Sequence, residues 1–298
     1  MTGSGQQDRD ETLFGHKPFW VIADALSREG FAVLRIDDRG VGETTGKVGT
    51  SADYAQDILA ALRFLKSRKE INPKKIGLIG HSEGGMIAPI VAVQSKDVAF
   101  IVSLAGLGVG GRALLLKQSD DILAKTGANA AYRANVQSLN AALYEVAFRL
   151  PLESDIKDSL QLAFDNWLKA QPDAVLGQMG FKSEVGKKSV TRQFDQIGSK
   201  WYRYFLKYDP QPILAQINIP VLALNGSNDV QVSAKENLAG FEKGLTAAGN
   251  KNFKTVELPG LNHLFQKCQK CTAAEYGMLE ETFSVDALKV ILDWLKKQ

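Results

Sequence analysis

The chain has 298 residues, 45% of them hydrophobic and 23% charged, a balance that supports a sizeable core and excludes a disordered protein. Its 36 basic and 33 acidic side chains leave a formal charge of +3 and are scattered along the chain, so no basic block tracks a nucleic-acid backbone. No run reaches the roughly 18 apolar residues of a membrane span, and the start, MTGSGQQDRDE, lacks the basic and apolar regions of a signal peptide; the chain as given reads as soluble, cytoplasmic by default, with its compartment and oligomeric state open.

Strand and helix patterns alternate from the start, as in a mostly parallel sheet with crossover helices on both faces. Helix Lys17–Arg28 leads through Glu29-Gly30 to strand Phe31–Ile36, helix Asp53–Ser67 through Asn72-Pro73 to strand Lys75–Gly80, and helix Glu83–Gln94 to strand Ala99–Leu104. The middle is helical only: Leu114–Lys125, Ala130–Arg149, Ser154–Ala170 and Lys188–Tyr208, broken at Gly127, Pro151, Pro172 and Gly186. Strand Pro220–Asn225, helix Ala234–Ala248, strand Phe253–Leu258 and helix Val285–Lys297 then resume the alternation. The expected organisation is an α/β core in two parts, 1–105 and 213–298, with a helical cap inserted at 106–212. The cap aromatics Phe164, Trp167, Trp201, Tyr202, Tyr204 and Phe205 fall at helical spacing and read mainly as its core.

Gly80-His81-Ser82-Glu83-Gly84 is a G-x-S-x-G pentapeptide between strand Ile76–Ile79 and a helix. A strand-to-helix turn this tight strains the serine, and glycines on either side let the backbones pass. A hydroxyl needs a general base, usually a histidine oriented by a carboxylate. His81 lies within the elbow and His16 reads as part of a helix cap, which leaves His263 on the Gly/Pro loop after the last strand. Asp229, on the turn-rich loop after strand Pro220–Asn225, supplies the acid, with Asp209 the alternative that mutation would separate. The order Ser82, Asp229, His263 is that of the α/β-hydrolase arrangement.

These residues resemble the α/β-hydrolase superfamily, most closely bacterial serine esterases and serine-aminopeptidase-like hydrolases. Asp37-Asp38-Arg39-Gly40-Val41-Gly42 is similar to the family's D-x-R-G-x-G turn, with Arg39 as a structural anchor, and Thr2–Asp10 is similar to its oxyanion loop. The resemblance implies an oxyanion hole from the backbone N–H of Glu83 and one near Ser4 or Gly5. It implies ester hydrolysis through an acyl-enzyme, with peptide or amide hydrolysis as the second reading, a small-molecule ester as partner, and no cofactor. It also implies a central strand before the oxyanion loop, between Phe31–Ile36 and Lys75–Gly80, where this chain only begins. The expectation is therefore an N-terminally shortened sheet, with the two flanking strands either spread around an empty slot or collapsed with a disturbed elbow.

Gly106-Leu107-Gly108-Val109-Gly110-Gly111 satisfies G-x-G-x-x-G and supports a remote rival reading as a dinucleotide site, although Asp120 and Asp121 come too early for the ribose and lie in a helical stretch. A non-catalytic module on the same fold is a third reading, opposed by the complete triad. Cys268 and Cys271 form a C-x-x-C without a second Cys/His pair, so no metal or redox role is assigned to them.

Overall fold

The computed structural model describes all 298 residues as two compact units, one of residues 1–109 with 209–298 and one of residues 110–208. The first unit opens with α1 (Pro18–Arg28) and α2 (Ser51–Ser67). Helix α2 starts on a capping box in which Thr50 and Asp53 each bond the other's backbone N–H. Strand β1 (Gly77–His81), helix α3 (Glu83–Gln94) and strand β2 (Phe100–Leu104) follow, closely matching the predicted repeats.

The second unit is helical: α4 (Gly111–Lys125), α5 (Ala130–Arg149), α6 (Lys157–Ala170), α7 (Asp173–Gln178), α8 (Glu184–Thr191), α9 (Phe194–Gly198) and α10 (Lys200–Lys207). The single helix predicted over Lys188–Tyr208 is three, because the Ser199 hydroxyl accepts from the Tyr202 N–H and starts α10 afresh. Phe164, Trp167 and Tyr202 belong to this unit's own core, with Trp201 packed against it. Arg203 is fully buried and donates to the carbonyls of Leu150, Pro151, Leu152 and Ser154, so its charge fixes the turn between α5 and α6.

The first unit resumes with α11 (Gln211–Leu214), β3 (Val221–Gly226), α12 (Ala234–Ala247), β4 (Phe253–Leu258) and α13 (Val285–Leu295). The sheet is parallel, in order β1-β2-β3-β4. Every residue of β3 is buried, as expected for a strand covered on both faces, whereas β4 closes one edge and is partly exposed. Helices α1 and α13 touch each other, and α2, α3, α11 and α12 form a second contiguous layer, with α3 on β1 and β2 and α12 on β3 and β4.

The expected strand Phe31–Ile36 does not form, because no strand lies beside it to complete a ladder. On that side of β1 only Met1 pairs: its α-amino group donates to the Ile79 carbonyl at 2.8 Å and its carbonyl accepts from His81 N–H at 3.0 Å, one parallel bridge. Beyond it a cavity of about 970 Å³ separates Ile76–Ile79 from Phe31–Ile36 and is lined by apolar side chains of α1 and α2. Val33 and Leu34 are left 38% and 39% exposed. Of the two expected outcomes the structure takes the spread one, with the turn after β1 intact.

Candidate active site

Ser82 stands between β1 and α3 at φ 52°, ψ −114°, a conformation costly for any residue with a Cβ. Its own N–H is held by the Leu104 carbonyl at the end of β2, 2.8 Å away. A Cβ on Gly80 would collide with the Gly84 carbonyl, and one on Gly84 with the Met1 carbonyl, so both elbow glycines are sterically required. Glu83, whose N–H the resemblance assigns to the oxyanion, is the first residue of α3, and its carboxylate accepts from Ser51 Oγ at 2.6 Å in the interior.

The loops after β3 and β4 bring Asp229 and His263 together. His263 Nδ1 lies 2.7 Å from Asp229 Oδ2, with both side chains buried. Asp229 Oδ1 accepts from the N–H groups of Gln231 and Val232 at 2.8 and 2.9 Å, and Oδ2 also accepts from Asn225 Nδ2 at 3.3 Å. Four donors thus fix the carboxylate, and the neutral imidazole carries its proton on Nδ1 and its lone pair on Nε2. Asn262 shapes the turn that presents the ring: its Oδ1 accepts from Leu264 and Gln266 N–H, both at 3.0 Å. No hydrogen bond joins Ser82 Oγ to His263. Asp209 is exposed and accepts from Gln211 N–H at 3.0 Å, so it serves α11 instead.

In the oxyanion loop, Gly3 abuts the serine: a Cβ there would lie 3.4 Å from Ser82 Cβ. Its N–H is already given to Glu11 Oε1 at 2.6 Å. Ser4 and Gly5 follow on the exposed part of the loop, with Gly5 at φ 98°.

Comparisons with known proteins bear on the fold. The sequence profile of the family "Serine aminopeptidase, S33" matches residues 19–156. Esterase EstD of Thermotoga maritima is 24% identical over 279 residues, which cover 92% of this chain and 56% of EstD, so the chain spans little more than half the length of that relative. Among solved structures, the Pyrococcus furiosus esterase Pf2001 has a TM-score of 0.54 at 15% identity, covering 100% of this chain and 81% of that one. A thermophilic esterase from Thermogutta terrifontis has a TM-score of 0.51 at 18% identity, covering 99% and 88%. The chain has the α/β-hydrolase fold.

Two histidines outside the His263–Asp229 pair hold the N-terminal segment in place. His16 is no helix cap: its ring nitrogens lie 2.9 Å from Thr282 Oγ1 and 3.0 Å from the Tyr276 carbonyl, tying the N-terminal segment to the end of the chain. His81 does not face its neighbour Ser82. Its Nδ1 is 2.9 Å from Glu11 Oε1 and its Nε2 is 2.9 Å from the carbonyl of His263. The available signal was the run Asp8-Arg9-Asp10-Glu11, in which each charge has a task. Asp8 caps the turn to Thr12, Arg9 clasps Asp37 at 2.5 Å, Asp10 pairs with Arg35, and Glu11 meets His81.

Arg39 anchors its turn as expected, donating to Asp57 at 2.5 and 2.9 Å and to the Asp53 carbonyl at 3.1 Å. The dinucleotide reading of Gly106–Gly111 fails on space, because protein backbone fills the room a pyrophosphate would need. A Cβ on Gly108 would strike the Asn237 carbonyl of α12, and one on Gly111 the Phe205 carbonyl of α10. Cys268 and Cys271 are joined in a disulfide, and the Glu275 carboxylate beside them accepts the N–H groups of Gln269, Lys270 and Cys271. All three residues are therefore committed to bonds that hold this loop.

Two further charges are perturbed on the β1 side of the site. Burial pushes the Met1 α-amino group down to about 6, against the pull of Glu11 and Asp38. Burial raises the Asp38 carboxyl to about 6, partly offset by its bond from Gln7 N–H.

Proposed function

We propose that this chain is a serine hydrolase that cleaves carboxylic esters, with Ser82 as nucleophile, His263 as general base and Asp229 as the residue that orients the histidine. The observation that carries the reading is Ser82 itself, a non-glycine residue held at φ 52° at the head of α3 between two glycines that admit no side chain. The His263–Asp229 bond, made from loops that follow successive strands, supplies the base. The names of the similar proteins, esterases in three cases, point the same way.

In this mechanism His263 Nε2 takes the proton of Ser82 Oγ as the oxygen attacks the ester carbonyl. The tetrahedral oxyanion is received by Glu83 N–H and by an amide of Ser4 or Gly5, since Gly3 N–H is engaged. Asp229, with both oxygens saturated by donors, stabilises the imidazolium without taking its proton. His263 then protonates the departing alkoxide, and water repeats the cycle on the acyl-enzyme. An ester is favoured over an amide because an alkoxide departs with less help than an amine.

The test pairs labelling with turnover. A fluorophosphonate probe should label Ser82, and p-nitrophenyl esters of graded acyl length should be hydrolysed, both lost in Ser82→Ala with a fall on the order of 10⁴-fold. Undiminished turnover in Ser82→Ala would overturn the assignment, and turnover of aminoacyl anilides alone would move the substrate class to amides.

A further inference from the structure

Neutral imidazole has one N–H, yet both nitrogens of His81 face acceptors: the Glu11 carboxylate and the His263 carbonyl, each at 2.9 Å. Only the imidazolium satisfies both. The pair is sealed from solvent, with His81 4% and Glu11 1% exposed, and Glu11 is held at φ 53°, a second strained position within this site. The same Glu11 oxygen accepts Gly3 N–H at 2.6 Å, and the His81 ring packs 4.7 Å from the His263 ring. One buried ion pair therefore ties together the oxyanion loop, the strand that ends in the nucleophile turn and the backbone of the proposed base.

We propose that Glu11 and His81 are positioning residues for hydrolysis: a buried, hydrogen-bonded pair that sets the His263 backbone and the Gly3 turn in register with Ser82. This rests on the reading of Ser82 and His263 given above. The charge on His81 stands between opposed effects. Burial disfavours it, but the Glu11 charge and hydrogen bond, the His263 carbonyl and the more distant Asp229 charge together raise its pKa above the ordinary histidine value. The titratable groups around it are Glu11 on the N-terminal loop, Asp229 and His263 on the loops after β3 and β4, and the Met1 α-amino group acting through Glu11. His81 should thus stay charged through neutral pH, and its deprotonation at alkaline pH should loosen the site.

The test is a double-mutant cycle on the full chain with Glu11→Gln, His81→Gln and both together, read by ester turnover, melting temperature and pH profile. Each single variant should lower kcat about 10- to 100-fold, with KM changed less than about threefold, since misplacing a catalytic group costs rate before binding. The double variant should be no worse than the singles, because the two residues act as one unit. Any alkaline limb of kcat in the wild type should be absent from Glu11→Gln. Because removing one partner of a buried pair can unfold a protein, the wild type carries an independent readout. ¹⁵N-histidine NMR at pH 7.5 should show one imidazole protonated on both nitrogens, assigned to His81 through its coupling to the slowly exchanging buried ring protons. Folded variants with wild-type kcat and pH profile, or a neutral His81 at pH 7.5, would overturn the proposal while Ser82 labelling still upheld the hydrolase reading. Turnover undiminished in Ser82→Ala would instead remove the reading on which it rests.

Discussion

Joining a strand-forming segment of five apolar, β-branched residues to the amino end of Met1 should stabilise the protein markedly. The single bridge between Met1 and β1 sets the register, parallel to Gly77–His81. Five residues at about 3.3 Å each, one strand spacing of about 4.8 Å wide and one layer of about 10 Å thick, occupy roughly 800 Å³. The cavity between β1 and Phe31–Ile36 holds about 970 Å³, enough for one strand. Ladder bonds worth about 1 kcal/mol each largely offset the ordering of the added backbone, at about 1–2 kcal/mol per residue. What remains is apolar burial, roughly 1.5–3 kcal/mol per side chain, so several kcal/mol in all. At about 2–4 °C per kcal/mol for a chain of this size, the melting temperature should rise by about 10 °C or more. The gain should also depend on pH. Folding lowers the Met1 α-amino group from 8.0 to about 6, so between those values the unfolded chain binds the proton that the folded chain lacks. That group's contribution to stability is fully present above pH 8 and is lost as pH falls through 6. The extension replaces the amine with an amide, so its advantage should be larger at pH 6 than at pH 8 by about 2 kcal/mol. Calorimetric melts of the extended chain beside one carrying a Gly/Ser extension of equal length decide the matter. Equal melting temperatures for the two would refute the slot as a strand site.

Asp229→Asn should keep the fold but lower kcat by orders of magnitude, because the amide can offer an N–H where His263 Nδ1 must donate and so favours the wrong tautomer; stopped-flow ester assays with a melting control check this. Gly108→Ala should cost about 1–3 kcal/mol, with fluorophosphonate labelling intact below the melting point, because its Cβ would drive α12 away at the Asn237 carbonyl; an unchanged melting temperature would contradict so close a backbone approach. Replacing Cys268 and Cys271 together by serine should change kcat less than about twofold, since Glu275 still holds three N–H groups of that loop; a large loss in an otherwise folded protein would assign the disulfide a role at the His263 loop.

What could be read in advance follows the range of the interactions that carry it. The turn at Gly80–Gly84 carries a local signature, since a Cβ on Gly80 would meet the Gly84 carbonyl four residues on, and that pattern makes the strain at Ser82 legible even though the Met1 and Leu104 carbonyls also fix the turn. Asp229 and His263 are 34 residues apart, but each follows a strand whose pattern is strong, so position at the sheet end stood in for distance. No such proxy existed for Glu11 and His81, whose partnership spans 70 residues and depends on how a strained loop residue is aimed. The error at Phe31–Ile36 has a different origin. Phe-Ala-Val-Leu-Arg-Ile carries the composition of a buried strand. A helix closes its hydrogen bonds within its own residues, so α3 and α5 fall where periodicity put them. A strand closes them only on a neighbour, and the neighbour on the β1 side of Phe31–Ile36 is a cavity. Strand propensity is therefore a statement about two segments, and it fails wherever the second is not supplied, however well the first is written.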